Sequence, residues 1–379
     1  MSALSFREGL HPPRTIVVKV GSRILSSPGL DDARRRVSRL VRDIMALRRA
    51  GIRVVVVSSG AIVHGMASLG IRGRPAAIPL QQGCAAIGQV GLLELYRRCF
   101  RRYDVLIGQV LLTWDDLRDK TRYLNLRNTL FALLDRGAVP VINENDSVGI
   151  EEIRFGDNDT LGAQIALLVS ADVYVLLTDV DGLYEGDPRR RADARHIPLV
   201  RSFTPELHAL AEKAADAVGV GGMATKLKAA EIVVSAGLSA VVANGYERGL
   251  VDALRGESSG TLFVPAPRKM NARRRWIAFS GKPRGTLLVD AGAREAVVKR
   301  NKSLLPAGIR AINGRFSVGD TVKLADSRGN VLGRGLTNYS SADIEKIRGR
   351  RSSEIAARLG RKSFDEVVHR DNMVVLARD

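Results

Sequence analysis

Cysteine is nearly absent: Cys84 and Cys99 are the only two in 379 residues. With no CxxC spacing they exclude a disulfide framework and a zinc or redox motif, and both lie in helix-like sequence as buried free thiols. No uninterrupted apolar run reaches the roughly 18 residues that would suggest a membrane span. The start, MSALSFREGLHPPRT, lacks the apolar stretch of a secretory signal, so a cytoplasmic protein with no membrane partner is expected. Neither GxxxxGK[ST] nor GxGxxG occurs, which excludes a Walker A loop and the dinucleotide fingerprint. Lysine is scarce as well, at 12 against 47 Arg. A lysine in a special setting is therefore informative.

What is present is globular. Apolar residues make up 45%, mean hydropathy is -0.03, and 379 residues exceed one ordinary core, so two domains are expected. The charge is uneven. Residues 266–379 carry 25 Lys and Arg against 11 Asp and Glu, a net of +14, whereas residues 1–265 carry 34 against 29. Such a basic tail fits either an RNA-binding module or a general preference for Arg.

Val- and Ile-rich runs at 15–20, 52–59, 105–112, 138–143, 172–179 and 238–245 alternate with helix-like segments at 31–50, 60–70, 80–102, 121–136, 158–169 and 222–236. Near-continuous apolar strands between amphipathic helices predict a three-layer αβα sandwich around a mainly parallel sheet, over residues 1–265. Residues 266–275, with Pro267 and the run RKMNARRR, read as a linker. Short strands and Gly turns over 276–352 predict a small β-barrel with little helix, and 353–379 reads as an extension of one helix and a final strand, NMVVLA.

In an open parallel sheet, ligands bind beyond the carboxyl ends of the strands. Lys19-Val-Gly21-Ser follows the first strand, and Ser58-Ser59-Gly60-Ala61 follows the second and leads into a helix. Either alone could be an ordinary turn. The fourth strand is followed by NEND, which contains Asp146, and then GDNDT places Asp157, Asn158 and Asp159 near a helix N-cap. Capping accounts for one or two of these polar residues but not for both clusters. Thr178 and Asp179 end the next strand, and GVGGMATKLKAAEIVV puts Lys226 early in a helix behind a Gly-rich turn. Backbone amides, helix N-termini and two ammonium groups suit phosphate oxygens, and the acids nearby can orient the lysines or receive a substrate ammonium. The set fits a nucleoside triphosphate with Mg²⁺ beside a second charged small molecule.

The segments VVKVGS, VSSGAI, RNTL, VPVINEND, IRFGDNDTLGA, LLTDVDGLY and GGMATKLKAA, in this order over about 14–260, resemble the glutamate 5-kinase branch of the amino-acid kinase family. WIAFSGKPRGTLLVDAGAREAV through GRGLTNYSS resembles a PUA domain. The resemblance implies the amino-acid kinase fold and ATP-dependent phosphorylation of the side-chain carboxylate of L-glutamate, the first step of proline biosynthesis. It implies that Lys19, Gly21, Thr178, Asp179 and the turn Gly221, Gly222, Met223, Ala224, Thr225 and Lys226 hold ATP. Ser59, Gly60, Asp146 and Asn158 would bind glutamate, and Asp159 would position the two lysines; no side chain is expected to ligate the Mg²⁺ directly. It further implies feedback inhibition by proline, handover to a glutamyl phosphate reductase, a homo-oligomer and RNA binding through the PUA-like domain. Two positions depart from the family pattern: Arg23 stands where a small residue is usual, and Val220 where Thr often precedes GGM. Rival readings are a kinase of the same fold acting on N-acetylglutamate or aspartate, and a protein acting mainly on RNA.

Overall fold

A computed structural model describes residues 4–25, 30–149, 158–186, 193–213, 222–256, 260–265, 270–280 and 283–376. The chain divides into two compact units, Met1–Lys269 and Met270–Asp379. Among the described residues no helix is long and apolar enough to cross a membrane.

In the first unit the apolar runs become β1 (Thr15–Val20), β2 (Arg53–Ser58), β3 (Ile107–Leu112), β4 (Val139–Glu144), β5 (Val173–Thr178) and, after the hairpin strands β6 (Leu183–Tyr184) and β7 (His196–Ile197) and the short β8 (Leu199–Val200), β9 (Ser239–Asn244). With β10 (Thr261–Phe263) they form one eight-stranded sheet in the order β3-β4-β2-β1-β5-β9-β10-β8. Every pairing in it is parallel except β10 with β9. β8 and β10 escape sequence reading because two or three residues carry no periodicity.

Alternation along β1 decides where the chemistry lies. Ile16, Val18 and Val20 enter a core with Val54, Val56, Val173, Val175 and the apolar stripe of the helix Leu30–Arg49. Successive side chains alternate faces, so Val17 and Lys19 point to the other layer, which holds the helices Asn158–Leu168 and Met223–Ser235. Burial of each large aliphatic side chain contributes about 1.5–3 kcal/mol, so this register is firmly set and Lys19 cannot exchange faces with its neighbours. On the first face, the helices Ala61–Ser68 and Ile78–Arg101 cross closely. A Cβ at Gly65 would meet the carbonyl of Cys84, and one at Gly88 the carbonyl of Ala61. Both cysteines are buried and free.

The second unit contains β11 (Gly285–Val289), β12 (Ile309–Gly314), β13 (Thr321–Ala325), β14 (Val331–Leu336) and β15 (Met373–Val375), ordered β12-β11-β13-β14-β15. β11 and β13 are parallel and the other pairs antiparallel. Leu287, Val322, Leu324, Ile344, Val367 and Val368 centre its own core. The expectation of little helix in this region needs correction. Ala291–Val298 and Ser341–Ile347 are helical, each started by a short polar cap: Asp290 accepts from the Ala293 N–H at 2.8 Å and Ser340 from that of Asp343 at 3.1 Å.

Candidate active site

Lys19 hangs from the penultimate residue of the central strand β1, and the helix Asn158–Leu168 begins above it with Asp159 in its first turn. The Lys19 ammonium lies 2.6 Å from Asp159 Oδ1. Lys226, in the first turns of the helix Met223–Ser235, reaches Oδ2 of the same carboxylate at 3.3 Å. Thr225 donates its hydroxyl to that oxygen at 2.7 Å. Two sequence-distant segments therefore converge on an acid carried by a third, and Lys19, Lys226 and Asp159 are 7%, 7% and 1% exposed.

The electrostatics follow from burial and from this pairing. Burial alone would raise the Asp159 carboxyl, but the Lys19 and Lys226 ammonium groups outweigh it and hold the group well below the usual carboxylate range. Burial pushes Lys226 below the ordinary lysine value, with Lys19 adding to the descent and Asp159 opposing it. A carboxylate at the N-terminus of its helix also meets the positive end of the helix dipole. The trio carries a net positive charge in a water-poor setting, as an anion-binding site requires.

Beside it, β5 ends in Thr178 and Asp179. Thr178 is buried and donates to Asp179 Oδ1 at 3.0 Å, while Arg23 Nη1 meets Asp179 Oδ2 at 2.6 Å. Arg23, the departure noted in the sequence, thus crosses from the end of β1 to the end of β5. Burial would raise the Asp179 carboxyl, and the Arg23 hydrogen bond and charge lower it below the carboxylate norm. One expectation changes here. The Gly21 N–H donates to the carbonyl of Leu177 at 3.1 Å, so it is not aimed at phosphate; a Cβ at Gly21 would lie 3.2 Å from that same oxygen. Gly21 permits close strand-end packing rather than acting as an anion donor.

On the other side of the trio, the expected substrate residues gather at the ends of β2 and β4. Ser59 is buried, and Gly60, with φ of 100°, supplies the left-handed turn that starts the helix Ala61–Ser68. Asn158 donates from Nδ2 to Ser59 Oγ at 2.9 Å and to Asn143 Oδ1 at 3.3 Å. Asp146 is buried in the turn after β4. Gly222, Met223 and Ala224 form the entry to the Lys226 helix, whereas Gly221, Asp157 and Val220 lie outside the described residues. Asn143 was not singled out from the sequence. Its signal was available: an amide inside the fully buried strand VPVINE must find polar partners. Gln89, which accepts from Asn143 Nδ2 at 2.9 Å, carried no such signal within its helix.

Comparisons with known proteins identify the family of both parts of the chain. Residues 14–244 match the Amino acid kinase family and residues 285–359 the PUA domain. The chain is 48% identical over 369 residues to a glutamate 5-kinase of Syntrophotalea carbinolica, covering 97% of this chain and 98% of that one. It is 46% identical over 371 residues to a glutamate 5-kinase of Carboxydothermus hydrogenoformans, covering 98% and 100%. A third, from Moorella thermoacetica, is 45% identical over 377 residues, covering 99% and 100%.

Proposed function

The chain belongs to the amino acid kinase family, and from that premise we infer that it transfers the terminal phosphoryl group of ATP to the side-chain carboxylate of L-glutamate, the entry step of proline biosynthesis. A glutamate carboxylate, with a pKa of about 4.3, is already an ionised nucleophile at neutral pH and needs no general base. Its oxygen attacks the γ-phosphorus, the bond from phosphorus to the β–γ bridging oxygen breaks, and the electron pair leaves with ADP. What opposes the reaction is repulsion between two anions and the redistribution of charge over the phosphoryl oxygens.

The observation that carries this reading is one buried carboxylate, Asp159, held between Lys19 and Lys226. Asp159 fixes both ammonium groups before the nucleotide arrives, so little reorganisation remains when charge develops. In this reading Lys19 and Lys226 flank the transferring phosphoryl group, and Thr178 and Asp179 hold the nucleotide with the turn 221–226. Ser59, Asp146 and Asn158 hold glutamate, with Asp146 facing its α-ammonium. Among the described residues no group of three or more His, Cys, Asp or Glu side chains could cage a metal, and Asp159 is taken by two ammonium groups. In this reading Mg²⁺ would be held by phosphate oxygens and water, where it would neutralise phosphate charge. Proline, which shares the α-carboxylate and the adjacent amine of glutamate, would compete for the same residues.

The test is ADP release with L-glutamate, N-acetylglutamate and L-aspartate offered separately. Turnover should be selective for L-glutamate. A preference for N-acetylglutamate, which has no ammonium for Asp146 to meet, would overturn the substrate assignment.

A further inference from the structure

We propose that Gln89, on the helix Ile78–Arg101, is a positioning residue that sets the polarity of a buried amide relay, Gln89–Asn143–Asn158–Ser59, and thereby presents the Ser59 hydroxyl as a donor to an anionic substrate. The inference rests on the assignment of Ser59 and Asn158 to the acid substrate.

The relay is continuous. Asn143 donates from Nδ2 to Gln89 Oε1 at 2.9 Å and accepts at Oδ1 from Asn158 Nδ2 at 3.3 Å; the same Nδ2 donates to Ser59 Oγ at 2.9 Å. Asn143 and Asn158 are each 2% exposed, so neither amide can turn to water for a substitute partner. Each carboxamide has a donor end and an acceptor end. Asn143 uses both of its ends and Asn158 its Nδ2 for both links, so along these three links the sense at Gln89 and the sense at Ser59 are coupled.

The two senses differ at Ser59. In the sense found here, Ser59 Oγ accepts from Asn158, and its single proton remains for a further acceptor. In the reverse sense Ser59 would spend that proton on Asn158 and turn only lone pairs toward the substrate. A carboxylate has only acceptors, so it is compatible with the first sense and repelled by the second. Gln89 sits at the outer, half-buried end of the relay, away from Ser59. Its approach is fixed by its neighbour: Gly88 lies against the carbonyl of Ala61, two residues beyond Ser59, at a contact that leaves no room for a Cβ. The helix crossing thus brings Gln89 to Asn143.

The test uses three substitutions in the full-length enzyme, with KM for L-glutamate and for ATP measured for each. Gln89→Glu offers only an acceptor and keeps the sense; its glutamate KM should stay within about threefold of the parent. Gln89→Lys offers only donors and imposes the reverse sense; its glutamate KM should rise about tenfold or more, with ATP KM unchanged. Gln89→Met removes the outer link and should fall between them. A simple charge effect gives the opposite order, since a lysine would attract the anionic substrate and a glutamate repel it. The proposal is overturned by a Lys variant that binds glutamate as well as the parent does, by a Glu variant as impaired as the Lys variant, or by equal changes in ATP KM. Parent turnover on the acid panel separately tests the substrate reading. Should the parent prefer another acid, the order of the three variants on that acid still decides the relay.

Discussion

The hydroxyl of Tyr174 donates to the backbone carbonyl of Asp159 at 2.7 Å, tying the first turn of the helix Asn158–Leu168 to strand β5. Gly162, one turn further along, lies against the same hydroxyl with no space for a side chain. The acid that gathers the two lysines is thus held through its backbone as well as its carboxylate. Tyr174→Phe deletes the hydroxyl and leaves a buried carbonyl short of one donor, so we expect about 0.5–1.5 kcal/mol less stability in urea unfolding. An unchanged midpoint would show that the carbonyl finds another donor.

Lys19→Ala should lower kcat by about 10²–10³-fold, the usual effect of losing one preorganised donor to transition-state charge. The far-ultraviolet circular dichroism spectrum should be unchanged, because the rest of β1 remains packed. Turnover within a few-fold of the parent would remove Lys19 from the mechanism.

Asp159→Asn places two buried ammonium groups beside a neutral amide. Breaking a buried ion pair by removing one partner typically costs about 3–5 kcal/mol, and the loss should appear in equilibrium unfolding at neutral pH together with a fall in kcat. A loss confined to kcat would mean that the lysines move to other partners.

The pH dependence follows from the directions of the shifts. The folded pKa of Asp159 is depressed, so its stabilisation is in place above the unfolded carboxylate value of about 3.9 and is lost only as pH falls through its lower folded value. The acid limb of activity should therefore report the substrate carboxylate, near about 4.3, instead of Asp159. Lys226 loses its proton below the ordinary lysine value of about 10.4, so the alkaline limb should fall earlier than an exposed lysine would give. A pH–rate profile of kcat/KM checks both limbs.

Arg23→Ser removes the guanidinium from Asp179 and leaves its carboxylate with the Thr178 hydroxyl alone of these two partners, beside the proposed nucleotide site. The ATP KM should rise by about three- to tenfold while glutamate KM holds, and the rise should shrink as salt is added, because half of the Arg23 side chain is exposed. A rise independent of ionic strength would point to a steric role instead.

Much of this was legible in the chain because the signals were local. Continuous Val and Ile runs announce a buried parallel sheet, and Gly-led turns after them mark the ends where ligands bind. Lys19, Asp159 and Lys226 stood out as polar groups at strand ends or helix starts. Gln89 did not, since its importance depends on a crossing set by Gly65 and Gly88 and on an amide some 54 positions away. The Arg23 contact with Asp179 spans 156 positions and was equally hidden, although Arg23 itself was conspicuous. The partner of the Gly21 N–H, the Leu177 carbonyl, was hidden for a related reason. A glycine after a strand signals close approach, but only the neighbouring strand determines to what.

β1 lies fourth among eight strands, flanked by β2 and β5, and Lys19 is anchored on it. Hydrogen–deuterium exchange should therefore be slowest at the amides of β1 and fastest at the marginal strands β3 and β8, which have one neighbour each. Fraying at either margin would leave Lys19 in place, and the Lys19–Asp159 pair would be lost only when the sheet melts through its centre.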